Sequence, residues 1–266
     1  MRSCLIITTY NSAEVLRFSL QSVLNQTVLP DEVVIADDGS SDHTDIVVKS
    51  FKERFKNKVI HSYQEDKGFR AAMSRNKAIA VSKSEYIIMI DGDMMLHKDF
   101  IKDHIKYAKR GFFLQGSRVL LKDELTKKIL SKEKIDYRDF FSKKIGNHKN
   151  LLHLPVLTYF ISLISKKSLK GIRTCNLSLF KEDIIKVNGF DESYEGWGRE
   201  DSDFAQRLIK AGILRKDIKF AAIQFHLYHK EREHNTENDE LLEKAMNEND
   251  FYCSDGIDKY LKENKN

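Results

Sequence analysis

The stretch Tyr86-Ile87-Ile88-Met89-Ile90-Asp91-Gly92-Asp93 decides how the rest of the chain reads. An unbroken apolar run of this length reads as a strand buried on both faces, the kind that parallel sheets are made of. It ends in two carboxylates one residue apart. Alternation along an extended chain puts residues i and i+2 on the same side, so Asp91 and Asp93 can face one ligand. Hard oxygen donors so arranged suit Mg²⁺ or Mn²⁺, ions that commonly hold a protein to a diphosphate. The same three residues would also make a solvated turn, and their surroundings have to decide.

Upstream, strands are expected at 4–8, 32–37 and 58–63, with helices at 13–25, 44–56 and 71–82 between them. This alternation predicts an α/β fold with a mostly parallel central sheet flanked by helices on both faces. Ligands of such sheets bind beyond the carboxyl ends of the strands. Those ends carry Thr8-Thr9-Tyr10-Asn11, Asp37-Asp38-Gly39-Ser40 and Asp91-Gly92-Asp93, all polar. Downstream, a helix near 98–110 and a strand near 112–119 complete the first part, 1–120.

Residues 121–170 are rich in lysine and lose the rhythm, so they are expected to form a helical insertion. Its portion 151–164 is markedly apolar and runs into Lys166-Lys167. Three coverings are open for it: the domain's own sheet, a second subunit in a homo-oligomer, or an anionic membrane where apolar and cationic attractions combine. Order returns over 171–230, with a helix at 202–211 and a strand at 220–225, and a charged helical tail with a loose end is expected over 231–266.

The 266 residues suit one large domain with an appendage, and 41% hydrophobic residues allow a substantial core. A net charge of +5 is compatible with phosphate-bearing substrates, yet it is far from the concentrated charge of a nucleic-acid binder, so no nucleic acid is expected. Cys4, Cys175 and Cys253 are scattered, without metal-ligand spacing, and read as reduced thiols. The opening Met1-Arg2-Ser3-Cys4-Leu5-Ile6-Ile7 turns polar at Thr8 and reads as a first core strand, not a secretion signal. No apolar run approaches the roughly 20 residues of a membrane span. A cytoplasmic location is expected, with peripheral contact at the inner membrane as an option.

The ordered set Thr8-Thr9-Tyr10-Asn11, Asp37-Asp38-Gly39-Ser40, Gly68 through Arg75-Asn76, and Asp91-Gly92-Asp93 resembles the nucleotide-sugar half of GT-A (Rossmann-like) glycosyltransferases, nearest the bacterial inverting family 2. Gly189-Phe190-Asp191-Glu192 followed by Gly196-Trp197-Gly198-Arg199-Glu200-Asp201 resembles the acceptor region of β4-galactosyltransferases and chondroitin polymerase. Together these cover the chain except residues 122–170.

The resemblance implies that Thr8, Tyr10 and Asn11 line a nucleoside pocket and that Asp38 accepts a hydrogen bond from uracil N3–H, which an ionised carboxylate does well. Without it, Asp37 to Ser40 would read as a turn and helix cap. Gly68 would flank the nucleotide, and Arg75 would neutralise the diphosphate or clamp Asp91, with Lys67 and Arg70 competing for that place. Asp93 would ligate Mn²⁺ or Mg²⁺, while Asp91 and Gly92 support the ribose and the metal's hydration shell. His226, after a strand, stands where relatives supply a further ligand, and His229 competes; imidazole with carboxylate favours Mn²⁺. Asp201 would be the catalytic base, Glu200 would hydrogen-bond the acceptor sugar, and Gly196-Trp197 would present an indole for the sugar to stack on. Acidic residues at a helix start also complement its dipole, but that does not explain the two glycines. Asn176 would lie beside the donor sugar, or else serve core packing.

Taken together, these residues predict a UDP-sugar glycosyltransferase. It would move a hexose or N-acetylhexosamine to a glycan or lipid-linked acceptor, with inversion, during assembly of lipooligosaccharide or capsule. A non-catalytic nucleotide-sugar or glycan-binding subunit is the rival from another class. A sugar nucleotidyltransferase would need a glycine- and lysine-rich triphosphate loop, which Thr8-Thr9-Tyr10-Asn11 is not.

Overall fold

The computed structural model describes residues 1–132, 145–230 and 234–263. Parts of the expected insertion (133–144) and tail (231–233 and 264–266) lie outside the described residues. The first part runs β1 (Ser3–Thr9), α1 (Ala13–Leu24), β2 (Glu32–Asp37), α2 (Thr44–Arg54), β3 (Lys58–Tyr63), α3 (Ala71–Val81) and β4 (Tyr86–Asp91). All four strands are mutually parallel, in the order β3-β2-β1-β4. Alternate residues of β1 belong to different cores. Leu5 and Ile7 pack with Leu16, Leu20 and Val23 of α1, while Cys4 and Ile6 pack with Ala72, Ala78 and Ile79 of α3. Strands buried on both faces need apolar residues at every position, which is why Tyr86 to Ile90 shows no alternation.

Next come β5 (Met94–Leu96), α4 (Phe100–Tyr107), β6 (Phe112–Gln115), β7 (Arg118–Leu121), α5 (Asp123–Leu130), β8 (Ile145–Gly146), α6 (Pro155–Ser162) and β9 (Ser165–Lys166). The chain ends with β10 (Leu177–Phe180), α7 (Lys181–Lys186), α8 (Glu200–Lys210), β11 (Leu214–Asp217), β12 (Gln224–His226), α9 (Glu237–Asn247) and α10 (Asp258–Glu263). Antiparallel β10 sews β6 onto β4, giving an eight-stranded, mostly parallel sheet. A second sheet, β5-β12-β7-β8, packs its own core of Phe18, Met95, Val119 and Phe225 beside it.

Several expected elements are redrawn. The strand expected at 112–119 divides into β6 and β7, in different sheets, and at the division the Asn176 side chain packs into the space that Gly116 leaves free. The strand expected at 220–225 shrinks to β12, since Phe220 and Ala222 have φ of 68° and 44°, which a strand excludes. Short β5 and β11 were not expected. The described part of the tail is held down as far as 257: Cys253 and Ile257 are buried and Asn188 Nδ2 donates to the Cys253 carbonyl at 2.8 Å. All three cysteines are free and buried.

Within the insertion, α6 rests on the main domain through its polar edge. Thr158 is fully buried and donates to the Lys219 carbonyl at 2.8 Å. Val156, Tyr159, Phe160, Leu163 and Ile164 are more than half exposed instead of packing over the sheet. No described helix is long and apolar enough to cross a membrane.

Candidate active site

Sheet register assembles the first half of the site. Thr9 of β1 lies level with Asp37, and Thr8 lies level with Asp91. Asp38, just past β2, is 2% exposed; its carboxylate accepts from Gln64 Nε2 at 2.5 Å and from the Arg70 backbone N–H at 2.8 Å. Burial pushes this carboxyl up, against those two donors. Tyr10 is half-buried, and its hydroxyl donates to Asp66 at 2.9 Å. Asn11, at φ 45°, accepts from the Ser41 N–H at 2.8 Å, so its carbonyl fastens the turn after β2. Gly39 in that turn has φ 93°, and a Cβ there would meet the Asp66 backbone at 2.5 Å. Gly68, at φ 87°, has open space around it and flanks this cleft, with Lys67 exposed and paired to Glu65.

Gly92 donates its N–H to the Thr8 carbonyl at 2.8 Å, and a Cβ there would press on that oxygen at 3.1 Å. A residue this small lets the chain between the two carboxylates pass close against β1. Asp93 Oδ2 lies 3.1 Å from His226 Nε2 and 2.9 Å from His229 Nε2, so both histidines that competed in the sequence converge on it. Burial pushes the Asp93 carboxyl up, and the two imidazoles more than reverse this, holding it well below the ordinary range. Asp93 Oδ1 is buried without a partner. One carboxylate, two imidazoles and an orphaned oxygen fit a divalent cation, and the nitrogen donors favour Mn²⁺ over Mg²⁺.

Arg75 of α3 joins this half to the other. It is 5% exposed, with Nη2 3.6 Å from Asp91 and Nη1 3.1 Å from Glu200 and 3.7 Å from Asp201. Arg70, its rival in the sequence, turns away to the Glu65 carbonyl at 2.5 Å. Burial pushes Asp91 up to about 6, opposed by Arg75 and aided by Asp93. Burial likewise lifts Glu200 to about 7, with Asp201 adding to it and Arg75 opposing.

Asp201 stands in the first turn of α8, whose start is set by Arg199 at φ 73°. Its two oxygens accept from the Thr174 N–H at 2.9 Å and the Thr174 hydroxyl at 2.6 Å. Before it, the Trp197 loop is pinned from both sides. Gly196 N–H donates to the Phe69 carbonyl at 2.9 Å, while Asn238 of α9 donates to the Glu195 and Gly198 carbonyls at 3.0 and 2.8 Å. Gly198, at φ 117°, leaves no room for a Cβ beside His234. Trp197 is 43% exposed and meets His234 in a T-shaped contact, leaving indole surface open to solvent.

Of the two places expected, core packing is the one the structure shows for Asn176. It is 1% exposed, with Nδ2 donating to the Ser117 and Ala222 carbonyls, both at 2.9 Å, and Oδ1 3.0 Å from His104 Nε2. Both amide hydrogens are spent on the core, so it braces the site from beneath instead of meeting a donor sugar. Thr174, His234 and Asn238 were missed by sequence reasoning. Thr174 sat in a stretch already singled out, but the tail residues carried no local signal.

Residues 4–173 match the family described as Glycosyl transferase family 2, and residues 160–230 match the N-terminal domain of galactosyltransferase. Chondroitin synthase of Escherichia coli is 24% identical over 249 residues, covering 84% of this chain and 34% of the synthase. The chain therefore spans about a third of that relative's length. Two solved structures share the fold. S. aureus TarS 1-349 in complex with UDP has a TM-score of 0.63 at 16% identity, over 99% of this chain and 70% of that one. Mannosyltransferase PcManGT from Pyrobaculum calidifontis, in complex with GDP-Man and Mn²⁺, has a TM-score of 0.59 at 20% identity, over 86% of this chain and 57% of that one.

Proposed function

This chain belongs to glycosyl transferase family 2, and from that premise we propose that it moves a hexose or N-acetylhexosamine from a UDP-sugar to a sugar hydroxyl, with inversion to a β-linkage. The setting would be a bacterial surface glycan such as lipooligosaccharide or capsule, built at the cytoplasmic face of the inner membrane. One observation carries the reading. The buried Arg75 guanidinium binds the nucleotide-side Asp91 and the acceptor-side Glu200 and Asp201 into one cluster. A protein that only bound a nucleotide would have no need to hold a second, oriented carboxylate there.

The steps follow from the side chains. Asp38 accepts from the uracil imide, and the Trp197 face receives the acceptor ring. Thr174 fixes both oxygens of Asp201, so this carboxylate is oriented before the acceptor arrives. As the acceptor oxygen attacks the anomeric carbon, Asp201 takes its proton and the bond to UDP breaks on the opposite side. A divalent cation held by Asp93, His226 and His229 would neutralise the diphosphate and stabilise UDP as it departs. Arg75 keeps three carboxylates together that would otherwise repel.

UDP release from a panel of UDP-sugars, with Mn²⁺ and with chelator, tests this. One sugar should be turned over in a metal-dependent way, and Asp201→Asn should lower kcat by roughly 100- to 10,000-fold. Binding of UDP-sugars without turnover of any, across a range of glycan acceptors, would instead make the chain a binding subunit.

A further inference from the structure

Behind the catalytic carboxylates lies a cavity of about 260 Å³, bounded by the β6–β7 turn, residues 171–176 and the end of β11. Arg118, Arg173, Arg215 and Lys219 line it, against the single carboxylate of Asp217. Asp217 is already satisfied, accepting from Arg215 Nε at 2.7 Å and from Lys166 Nζ at 2.6 Å. Arg215 is spent too, since it also donates to the Ser168 and Lys170 carbonyls at 3.1 and 2.8 Å and so shapes the wall. Arg118 and Arg173 are different. Neither has a carboxylate within ion-pair distance among the described residues, although Arg118 is half-buried in the cavity. A partly desolvated guanidinium without a counterion is costly unless an anion completes it.

Position says which anion. Cys175 lines the cavity and is near enough to feel the charges of Asp91, Asp93 and Asp201 as well as that of Arg118. Arg173 directly precedes Thr174, whose N–H and hydroxyl hold Asp201. The donor's diphosphate is accounted for on the Asp93 side. A group reaching the cavity belongs to the molecule whose hydroxyl Asp201 deprotonates.

We propose that this cavity binds an oxyanion on the acceptor, so that the acceptor is a carboxylate- or phosphate-bearing sugar and not a neutral one. Planar guanidinium groups match both oxyanions through paired N–H donors. The proposal rests on the glycosyltransferase reading and names the acceptor class for that same site.

The test is calorimetric titration of the full chain, with UDP and Mn²⁺ present, using methyl β-glucuronide, glucose 6-phosphate and methyl β-glucoside. The galacto-configured counterparts are run alongside. A charged ligand should bind at least about tenfold tighter than its neutral partner, and the preferred member of the pair identifies carboxylate or phosphate. Arg118→Gln and Arg173→Gln should each weaken the charged ligand by roughly 10- to 100-fold while leaving the neutral one unchanged. Arg173 is exposed, so its variant guards against a folding defect at Arg118. Equal binding of charged and neutral sugars, or variants that weaken UDP as much as the charged sugar, would overturn the proposal. Failure of UDP itself to bind would strike the glycosyltransferase reading, and the comparison of charged with neutral ligands would still decide this one.

Discussion

Thr174 donates twice to Asp201, from its backbone to Oδ2 and from its hydroxyl to Oδ1. Both oxygens of the proposed base are thereby oriented by one residue. Thr174→Val keeps the shape and the backbone bond but removes the hydroxyl donor. A hydrogen bond to a charged group is worth about 1.5–3 kcal/mol, so kcat should fall roughly 10- to 100-fold. The KM for the UDP-sugar should not change, and Thr174→Ser should restore most of the loss. A Val variant with full kcat would show that Thr174 only packs.

Arg75 faces Asp91, Glu200 and Asp201 from a nearly inaccessible position. Arg75→Met strands these carboxylates, and breaking a buried charge set this way costs about 3–5 kcal/mol. Urea unfolding should show that loss. Arg75→Lys should recover little of it, because one compact ammonium cannot span partners that the guanidinium reaches with two separate nitrogens. Full recovery by lysine would mean that charge alone matters at this point.

His104 is fully buried between Ser178 Oγ at 2.7 Å and Asn176 Oδ1 at 3.0 Å. Burial pulls its pKa down to about 3, partly countered by Asn176. The folded value lies below the unfolded one near 6.5, so on acidification the unfolded chain takes up the proton first. Stability is therefore unaffected by this group above about pH 6.5, falls as pH drops toward 3, and levels off below. At ~1.4 kcal/mol per pH unit, it should account for about 2 kcal/mol of the loss between pH 7 and 5. Urea titrations of wild type and His104→Gln at both pH values check this. Equal acid losses in the two proteins would refute it.

The outward face of α6 is expected to partition onto anionic bilayers, with Lys167 beside it supplying attraction. Phosphatidylglycerol vesicles should sediment the chain and phosphatidylcholine vesicles should not, with the difference shrinking in salt. Burying a Phe contributes about 1.5–3 kcal/mol, so Phe160→Ser should weaken partitioning roughly tenfold or more. A dimer in gel filtration that Phe160→Ser dissociates, with no vesicle binding, would assign the face to a second copy.

Much of this molecule could be read from local pattern. The strand–helix alternation of the first part announced the parallel sheet, and the polar residues at strand ends pointed to the edge where the candidate site is assembled. Asp93 and His226, which the structure brings together across 133 residues of sequence, each stood out just past an apolar run, with His229 as the rival that also converges. What could not be read depended on contacts between distant segments. The break at Gly116 coincides with the packing of Asn176 against it, and nothing in Gln115-Gly116-Ser117-Arg118 alone announces that contact. The same contact consumes Asn176, which had looked available. The pinning of the Trp197 loop by Asn238 comes from a tail whose charge pattern suggested only a solvated helix. The apolar run of α6 was visible, but not that Thr158 and Ser162 would be its inward side.

The three buried cysteines give the chain a native set of probes. Burial pushes the Cys4 and Cys253 thiols up to about 12 and lifts Cys175 further still, so none should react with a maleimide while the fold is closed. Labelling can then proceed only through opening, and each thiol reports a different region. Cys4 answers for the central strand, Cys175 for the segment whose Thr174 holds Asp201, and Cys253 for the C-terminal segment. Quantifying adducts by peptide mass would rank the three openings in one unmutated sample. The same silence leaves the surface free for a dye on a single engineered cysteine, without first replacing any native residue.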